Sequence, residues 1–183
     1  MKCFDFIRAK YFLYCLVKRN GFDHAKFIKK HKYFYAMGEK CFYQPYNLPA
    51  DSQYIRFGNN VVIASNVNFI CHDVVHHVLN HLSESGGEYR TYRNVIDIRD
   101  NCFIGAGSII LAGVTIGPNA IVAAGSIVNK NVPEGSVVAG VPAKMVGTFD
   151  ALCQKREIWS GSEIANMKSR DQIKVLWEVH DCK

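Results

Sequence analysis

The stretch "NCFIGAGSIILAGVTIGPNAIVAAGSIVNKNVP", from Asn101 to Pro133, repeats with a period of six residues. This period fits neither an amphipathic helix, which repeats about every 3.6 residues, nor a half-buried strand, which alternates every second residue. An aliphatic residue leads each repeat, and a small or β-branched residue stands four positions later. The leading residues are Ile98, Ile104, Ile110, Ile116, Val122 and Val128, and the later ones are Cys102, Ser108, Val114, Ala120, Ser126 and Val132.

The same phase is present upstream in "FGNNVV" and "IASNVN", where Phe57 and Ile63 lead. Two inward positions in every six residues predict short strands and turns that stack rung upon rung as a parallel β-helix. Successive rungs are expected about 4.8 Å apart, with aliphatic columns inside and Gly, Asn and Asp at the turns. A β-sandwich would show a period of two and does not explain this spacing.

The repeat is interrupted once. Its phase stops after Phe69 and resumes near Ile98, which predicts a loop inserted into the helix, "HDVVHHVLNHLSESGGEYRTYRNVID", with Gly86 and Gly87 giving it mobility. The entry of this loop contains four histidines at 72, 76, 77 and 81.

Helices are predicted at both ends of the chain. Between residues 3 and 36 we expect two short helices, the second capped by Asp23, with an apolar stripe that packs on the rest of the fold. The stripe comprises Phe4, Ile7, Tyr11, Phe12, Cys15, Leu16, Ala25, Ile28 and Tyr35. A basic amphipathic segment that rests weakly on an anionic membrane surface is the alternative, and packing is favoured. Residues 149–183 predict one or two helices, broken near "SGS".

The predicted fold class is therefore mainly β. An N-terminal helical segment covers residues 1–40, the β-helix covers residues 41–148 with the inserted loop at about 73–94, and a C-terminal helical segment covers residues 149–183.

Composition narrows the functional classes. A formal net charge of +6 permits an anionic ligand without requiring nucleic acid, so no nucleic-acid partner is predicted. The seven cysteines contain no Cys-x-x-Cys pair and fit neither a disulfide framework nor a zinc cluster, which favours a reducing cytoplasm. The apolar segment "FLYCLV" is too short to span a membrane and too weak for a signal sequence, so export is not expected.

Three features together resemble the hexapeptide-repeat acyltransferases, in particular the galactoside, maltose and polysaccharide O-acetyltransferases. These features are the hexads, the loop entry "FICHDVVHHVL" and the closing segment "AAGSIVNKNVPEGSVVAGVPAKMVG". The resemblance implies a left-handed β-helix, whereas the usual right-handed preference of parallel crossovers would predict the opposite sense. It also implies a homotrimer with active sites between subunits, acetyl-CoA bound along the coils, and a sugar or glycan acceptor.

The resemblance also assigns a catalytic residue. Transfer of an acetyl group to a hydroxyl needs a base of near-neutral pKa, and His72 aligns with the family's catalytic histidine. His76 and His77 match a neighbouring pair and are expected to contact the acceptor. Asp73 is not an expected partner of the His72 ring, because adjacent side chains on a strand point in opposite directions. A backbone carbonyl or an acid from elsewhere is expected to orient that ring.

Binding residues are carried over in the same way. Acceptor-binding groups map onto Gln44 and Asp51, and Lys130 and Lys144 would face the phosphates or adenine of the cofactor. The full coenzyme A set is Phe103, Ala106, Ala124, Asn129, Lys130 and Lys144. If the resemblance misleads, the two lysines are ordinary surface residues. A main-chain N–H is expected to hold the oxyanion, and no metal is required.

The favoured function is an acetyl-CoA-dependent O-acetyltransferase of surface polysaccharide biosynthesis. An N-acetyltransferase acting on an amino sugar, free or nucleotide-linked, uses the same scaffold. A γ-class carbonic anhydrase would use three histidines to bind Zn²⁺, although the spacing of the histidines here differs from that family's. A non-catalytic protein of capsule assembly would tolerate the loss of His72. The sequence leaves the acceptor and the acetylated position open.

Overall fold

A computed structural model of the chain describes residues 2–82 and 88–182, so Gly86 and Gly87 lie outside the described residues. The chain divides into two compact units, Met1–Val146 and Gly147–Lys183. The first unit contains the helices α1 (Lys2–Val17), α2 (Gly21–Lys30) and α3 (His76–Leu82) together with nearly all of the strands. The predicted insertion therefore contains a short helix, α3, which the sequence analysis did not anticipate.

The strands are short and form three parallel sheets. They are β1 (Ala36–Met37), β2 (Phe42–Tyr43), β3 (Ile55–Phe57), β4 (Val62–Ile63), β5 (Asn68–Ile70), β6 (Ile96–Ile98), β7 (Cys102–Ile104), β8 (Ile109–Leu111), β9 (Thr115–Ile116), β10 (Ala120–Val122), β11 (Ile127–Val128), β12 (Ser136–Ala139) and β13 (Lys144–Thr148). The first sheet has the order β1-β3-β6-β9, the second β13-β12-β10-β7-β4-β2, and the third β11-β8-β5. From β3 to β11, consecutive strands thus fall on different sheets, as a parallel β-helix requires, whereas β12 and β13 both belong to the second sheet.

The leading residues of the repeats stack in register between coils. Their side chains are at most 8% exposed, so the predicted inward columns are confirmed. The three columns are Phe57, Ile98 and Ile116; Tyr43, Ile63, Ile104, Val122 and Val138; and Phe69, Ile110 and Val128. Three pairs of column neighbours are eighteen positions apart, which is one full coil of three hexads: Ile98 and Ile116, Ile104 and Val122, and Ile110 and Val128.

The small residues four positions after each leader are buried as well, and the polar ones have hydrogen-bond partners. Ser108 and Ser126 are fully buried, and their hydroxyls both donate to the carbonyl oxygen of Ala123, at 3.1 and 2.7 Å. A buried hydroxyl without such a partner would destabilise the core. The fourth-after position therefore selects small side chains that either are apolar or can reach a main-chain oxygen.

Asparagine side chains form a ladder along the turns between the first and second sheets. Asn60, Asn101 and Asn119 all have left-handed backbone angles, with φ of 54°, 57° and 51°. The amide of Asn60 donates to Asn101 at 3.0 Å, and the amide of Asn101 donates to Asn119 at 2.9 Å. Asparagine tolerates this conformation better than most residues do, which explains its recurrence at equivalent turns.

The N-terminal helices pack against the first coil in part as predicted. Tyr11, Cys15, Ala25 and Ile28 are buried in the core, and α2 lies on β2. The predicted cap is wrong, because Asn20 and not Asp23 accepts the hydrogen bond from the N–H of Phe22 that caps α2. The predicted stripe also includes three residues whose side chains are exposed: Phe12, Leu16 and Tyr35.

The second unit is helical. It contains α4 (Phe149–Ser160), α5 (Glu163–Asn166) and α6 (Ser169–Asp181), so the prediction of one or two helices is wrong. The break after Ser160 does fall in "SGS", where the Ser162 hydroxyl accepts from the N–H of Ala165 and starts a new helix. Within the described ranges, none of the helices has the length and apolar character needed to cross a bilayer.

Candidate active site

His72 lies at the neck of the inserted loop, two residues after the end of β5. The two legs of the loop are joined there by main-chain hydrogen bonds, from Asn94 N to Cys71 O at 2.9 Å and from Asp73 N to Tyr92 O at 3.2 Å. His72 itself forms an antiparallel bridge with Arg93. The backbone of His72 is thus held between the β-helix below it and the loop above it.

The ring of His72 is paired with the carboxylate of Asp51 through Nδ1 and Oδ2. Because a carboxylate accepts hydrogen bonds and donates none, Nδ1 carries the proton of this bond. In the neutral ring, the remaining nitrogen, Nε2, then holds the free lone pair, and it has no hydrogen-bond partner among the described residues. The side chain of His72 is 36% exposed and that of Asp51 is 23% exposed, so Nε2 can act on a molecule from solvent.

Asp51 reaches His72 because the segment before it is anchored to the N-terminal helices. The hydroxyl of Tyr11 donates to Pro45 O at 2.7 Å, and that of Tyr33 donates to Pro49 O at 2.9 Å. Burial raises the pKa of Tyr11 well above its ordinary value, so its hydroxyl remains a donor. Asp51 precedes the single turn Ser52–Tyr54 without capping it, which leaves its carboxylate available to His72.

Two neighbours of His72 play no part in the pair. The carboxylate of Asp73 accepts the N–H of Val75 at 3.1 Å, in agreement with the prediction that it is not the partner of His72. Cys71 is buried, and burial raises the pKa of its thiol to about 11. Since only the thiolate is a good nucleophile, Cys71 does not compete as a reactive group near neutral pH.

His76 and His77 begin α3, with their ring centroids 4.1 Å apart. Nε2 of His76 lies 3.4 Å from the Thr91 hydroxyl on the other leg of the loop, while its Nδ1 is buried without a protein partner. Neither histidine contacts His72 or Asp51. The structure therefore places both within the loop, and their predicted contact with an acceptor stays a prediction.

Gln44 is not brought together with the other predicted acceptor residue. Its main-chain N–H continues the β2 ladder by donating to Ile63 O at 3.0 Å, and its side chain is exposed. Gln44 directly follows β2 of the second sheet, whereas Asp51 pairs with His72, which comes after β5 of the third sheet. A role for Gln44 at the acceptor stays a prediction.

The residues predicted to bind coenzyme A lie on two edges of the β-helix. Ala106 and Ala124 stack on adjacent turns where the chain enters the third sheet, joined by a hydrogen bond of 2.8 Å from Gly125 N to Ala106 O. Asn129 and Lys130 follow β11, on the edge where His72 follows β5. The two edges are separated by the length of a three-residue strand, about 10 Å. Within one chain, Ala106 and Ala124 therefore lie on one edge of the β-helix, and Asn129 and Lys130 lie on the other.

The turns that carry Ala106 and Ala124 leave open space for a ligand. A Cβ placed on Gly107 or Gly125 would meet no atom within 4 Å, so no described residue lies against that side of either glycine. Phe103 lies on the neighbouring strand with its ring partly exposed. Small side chains on stacked turns allow a chain-like ligand to approach the backbone closely.

Lys130 and Lys144 are both exposed, and neither forms an ion pair within the described part of the chain. Cations of this kind suit an anionic ligand such as a phosphate. Lys130 follows β11 and Lys144 begins β13, so they lie on successive turns near the end of the β-helix.

A metal centre receives no support from the histidine cluster. Residues 2–82 and 88–182 contain no group of three or more His, Cys, Asp or Glu side chains that could hold a metal ion. His81 lies in the last turn of α3 with its side chain exposed. His72, the first histidine of the cluster, is paired with a carboxylate instead.

Sequence reasoning missed the pairing of Asp51 with His72. It placed Asp51 near an acceptor and left the residue that orients His72 open. The two residues are twenty-one positions apart, and no periodicity links them. The sequence indicated this pairing only indirectly, because Asp51 is the nearest acidic residue before the first coil of the β-helix.

Comparison with known proteins agrees with the fold. The family described as "Bacterial transferase hexapeptide (six repeats)" matches residues 96–130, the stretch that forms β6 to β11. The chain therefore contains a hexapeptide-repeat segment at residues 96–130. Its similarity to solved structures of such proteins implies the left-handed winding that the resemblance predicted.

The chain is similar to sugar O-acetyltransferases over part of its length. It is 40% identical to the galactoside O-acetyltransferase of Escherichia coli K12 over 106 residues, which cover 57% of this chain and 50% of that enzyme. A solved galactoside acetyltransferase in complex with coenzyme A superposes with a TM-score of 0.50 at 26% identity, covering 72% of both chains. A maltose O-acetyltransferase from Clostridium difficile 630 gives a TM-score of 0.54 at 24% identity, covering 79% and 84%.

These matches are partial. The chain spans about half the length of the curated relatives it matches. The similarity therefore supports a shared fold.

Proposed function

We propose that this protein is an acetyltransferase that moves an acetyl group from acetyl-CoA to a hydroxyl of a sugar or glycan, with His72 as general base. The observation that carries the proposal is the pairing of His72 Nδ1 with the Asp51 carboxylate at the neck of the loop. This pairing leaves Nε2 as a proton acceptor in a solvent-accessible position, which is the arrangement that a general base needs.

Coenzyme A would supply the acetyl group as a thioester. The open turns at Ala106 and Ala124 would take its pantetheine arm, and the unpaired cations Lys130 and Lys144 would take its phosphates. Support comes from the solved galactoside acetyltransferase, which was determined in complex with coenzyme A.

The proton follows a closed path through His72. As the acceptor oxygen bonds to the thioester carbonyl carbon, Nε2 takes the hydroxyl proton and the ring becomes an imidazolium. The Asp51 carboxylate stabilises this cation and keeps Nε2 directed at the acceptor. When the carbon–sulfur bond breaks, Nε2 returns the proton to the sulfur, and the neutral ring is restored.

We further propose a homotrimer with each active site shared between two subunits. Two of the three sheets present apolar side chains outward, whereas the first sheet presents Arg56, Asp97 and Thr115. The outward apolar residues are Val62, Phe103, Ile121 and Val137 on the second sheet and Ile70, Ile109, Leu111 and Ile127 on the third. Apposing such faces would bring the edge with His72 of one subunit to the open turns of another.

The acceptor class rests on the similarity to galactoside and maltose O-acetyltransferases. We place the reaction in surface polysaccharide synthesis because the loop entry and the closing segment resemble those of polysaccharide O-acetyltransferases. A cytoplasmic site is supported by the cysteines, since Cys15, Cys41, Cys71, Cys102, Cys153 and Cys182 are all free thiols.

The test is acetyl transfer from acetyl-CoA to a panel of galactosides, glucosides and maltosides, with the products identified by mass spectrometry. Wild-type protein should form an O-acetyl ester, and H72A should lose about 100-fold or more in kcat. Full activity of H72A would refute the assignment of the base. Acetylation confined to amino sugars would replace the O-acetyltransferase with the N-acetyltransferase.

A further inference from the structure

Helix α1 is apolar on both sides. Tyr11 and Cys15 face the core, while the opposite side of the helix presents an apolar surface to solvent. The outer side chains are 49–79% exposed, and none of them belongs to the hydrophobic core of this unit. They are Phe6, Phe12, Leu13, Leu16 and Val17, which we call the α1 outer face.

The α1 outer face lies in the most basic part of the chain. Residues 1–40 contain ten Lys and Arg against three Asp and Glu, whereas residues 41–183 contain twelve against thirteen. Lys10, Lys18 and Arg19 are exposed on α1 and just after it, and Lys26 and Lys30 are exposed on α2. The net positive charge of the whole protein is therefore carried by the N-terminal segment that contains α1 and α2.

We infer that the α1 outer face docks on an anionic membrane surface. A helix that lies in the membrane interface buries one apolar side among the lipid chains while its basic flanks attract anionic headgroups. The α1 outer face supplies the first property, and the lysines and Arg19 supply the second. The length of α1, sixteen residues, suits a helix that lies on the surface and does not cross the bilayer.

Charge favours lipid over a second copy of the chain. A two-fold contact through this face would bring the same basic residues of both copies together, and like charges in an interface are repulsive. An anionic bilayer offers the complementary charge and an apolar layer at the same time. The apolar layer is needed to cover the apolar side chains, and the anionic charge is needed to pair the lysines.

Docking would also hold at the membrane the helix that anchors the segment leading to Asp51. Tyr11, on the inner side of α1, holds Pro45 at the start of the segment that ends at Asp51. This inference goes beyond the proposed function and does not depend on it, because lipid binding is measured without any substrate.

The experiment is flotation of the full chain with vesicles of phosphatidylcholine alone or with roughly 30% phosphatidylglycerol. We expect flotation with the anionic vesicles at about 0.1 M salt, and its loss at about 0.5 M because the headgroup attraction is screened. The double variant L13S/L16S should bind at least tenfold more weakly, and so should K10Q/K18Q/R19Q. Circular dichroism would check that each variant retains its fold.

Matched controls remove equal groups from the second unit. I158S/I173S deletes two exposed apolar side chains, and K155Q/R156Q/K168Q neutralises three exposed cations. Both should float like wild type. Absence of wild-type flotation would overturn the inference, and so would unchanged binding of L13S/L16S. If wild type instead sediments as a larger species than L13S/L16S and does not float, the face joins two copies and the membrane assignment is wrong.

Discussion

Nδ1 of His72 is paired with Oδ2 of Asp51, a residue that belongs to the irregular segment before the first coil. The loop neck fixes one partner, and the N-terminal segment fixes the other through Tyr11 on α1 and Tyr33 after α2. The candidate base is therefore oriented by a part of the chain that the repeat does not include. This arrangement links the helical end of the protein to the chemistry at the loop.

Replacing Asp51 with Asn should lower kcat by about 10- to 100-fold, which is the usual cost of removing a group that orients a reactive histidine. If Asp51 positions His72, the KM for the acceptor should change little. A steady-state comparison of D51N and D51E separates these effects, with D51E expected to recover part of kcat. A large rise in acceptor KM with unchanged kcat would instead assign Asp51 to acceptor binding.

Replacing Lys130 or Lys144 with Ala should raise the KM for acetyl-CoA by about tenfold, because each lysine would lose a charge-assisted contact to the cofactor. The value of kcat should remain close to that of wild type. K168A, which removes an exposed lysine of the second unit, is the matched control and should leave the KM unchanged. Equal KM values in all three variants would contradict the cofactor assignment.

Replacing Ile104 with Ala should lower the free energy of unfolding by about 2–5 kcal/mol, since it opens a cavity in a fully buried column. Thr115, on the outward side of the first sheet, is the control, and T115A should change the stability by about 0.5 kcal/mol or less. Urea titrations of the three proteins would measure both effects. Comparable losses in both variants would contradict the inward column.

Alkaline pH should weaken the fold through its buried thiols. Burial raises the pKa of Cys71 and of Cys102 from 9.0 to about 11. Below pH 9 both states keep these protons, whereas between pH 9 and 11 the unfolded chain loses them first, so the free energy of unfolding falls. Urea midpoints measured from pH 8 to pH 10.5 should fall more steeply in wild type than in C71A/C102A. Parallel slopes would show that these thiols do not contribute.

The β-helix could be predicted from the sequence because its core is periodic in one dimension. Ile98, Ile104 and Ile110 face inward on three successive strands, and Ile116 begins the next coil directly beside Ile98. The conformation of each hexad depends only on its immediate neighbours. The period of six residues therefore specifies both the inward positions and the interruption after Phe69. His72 was predicted as the base because it lies at that interruption and matches the catalytic histidine of the family that the sequence resembles, and its role stays a prediction.

Tertiary structure alone decided the partner of His72 and the buried side of α1, because the six-residue period encodes neither. The partner of His72 is Asp51, which becomes its neighbour only after the N-terminal helices dock on the first coil and anchor the segment that begins at Pro45. The same docking selects Tyr11 and Cys15 for the core and leaves Phe12 and Leu16 exposed, although all four read alike as apolar residues. Local spacing thus determined the coil, whereas contacts between segments distant in sequence determined the site and the surface.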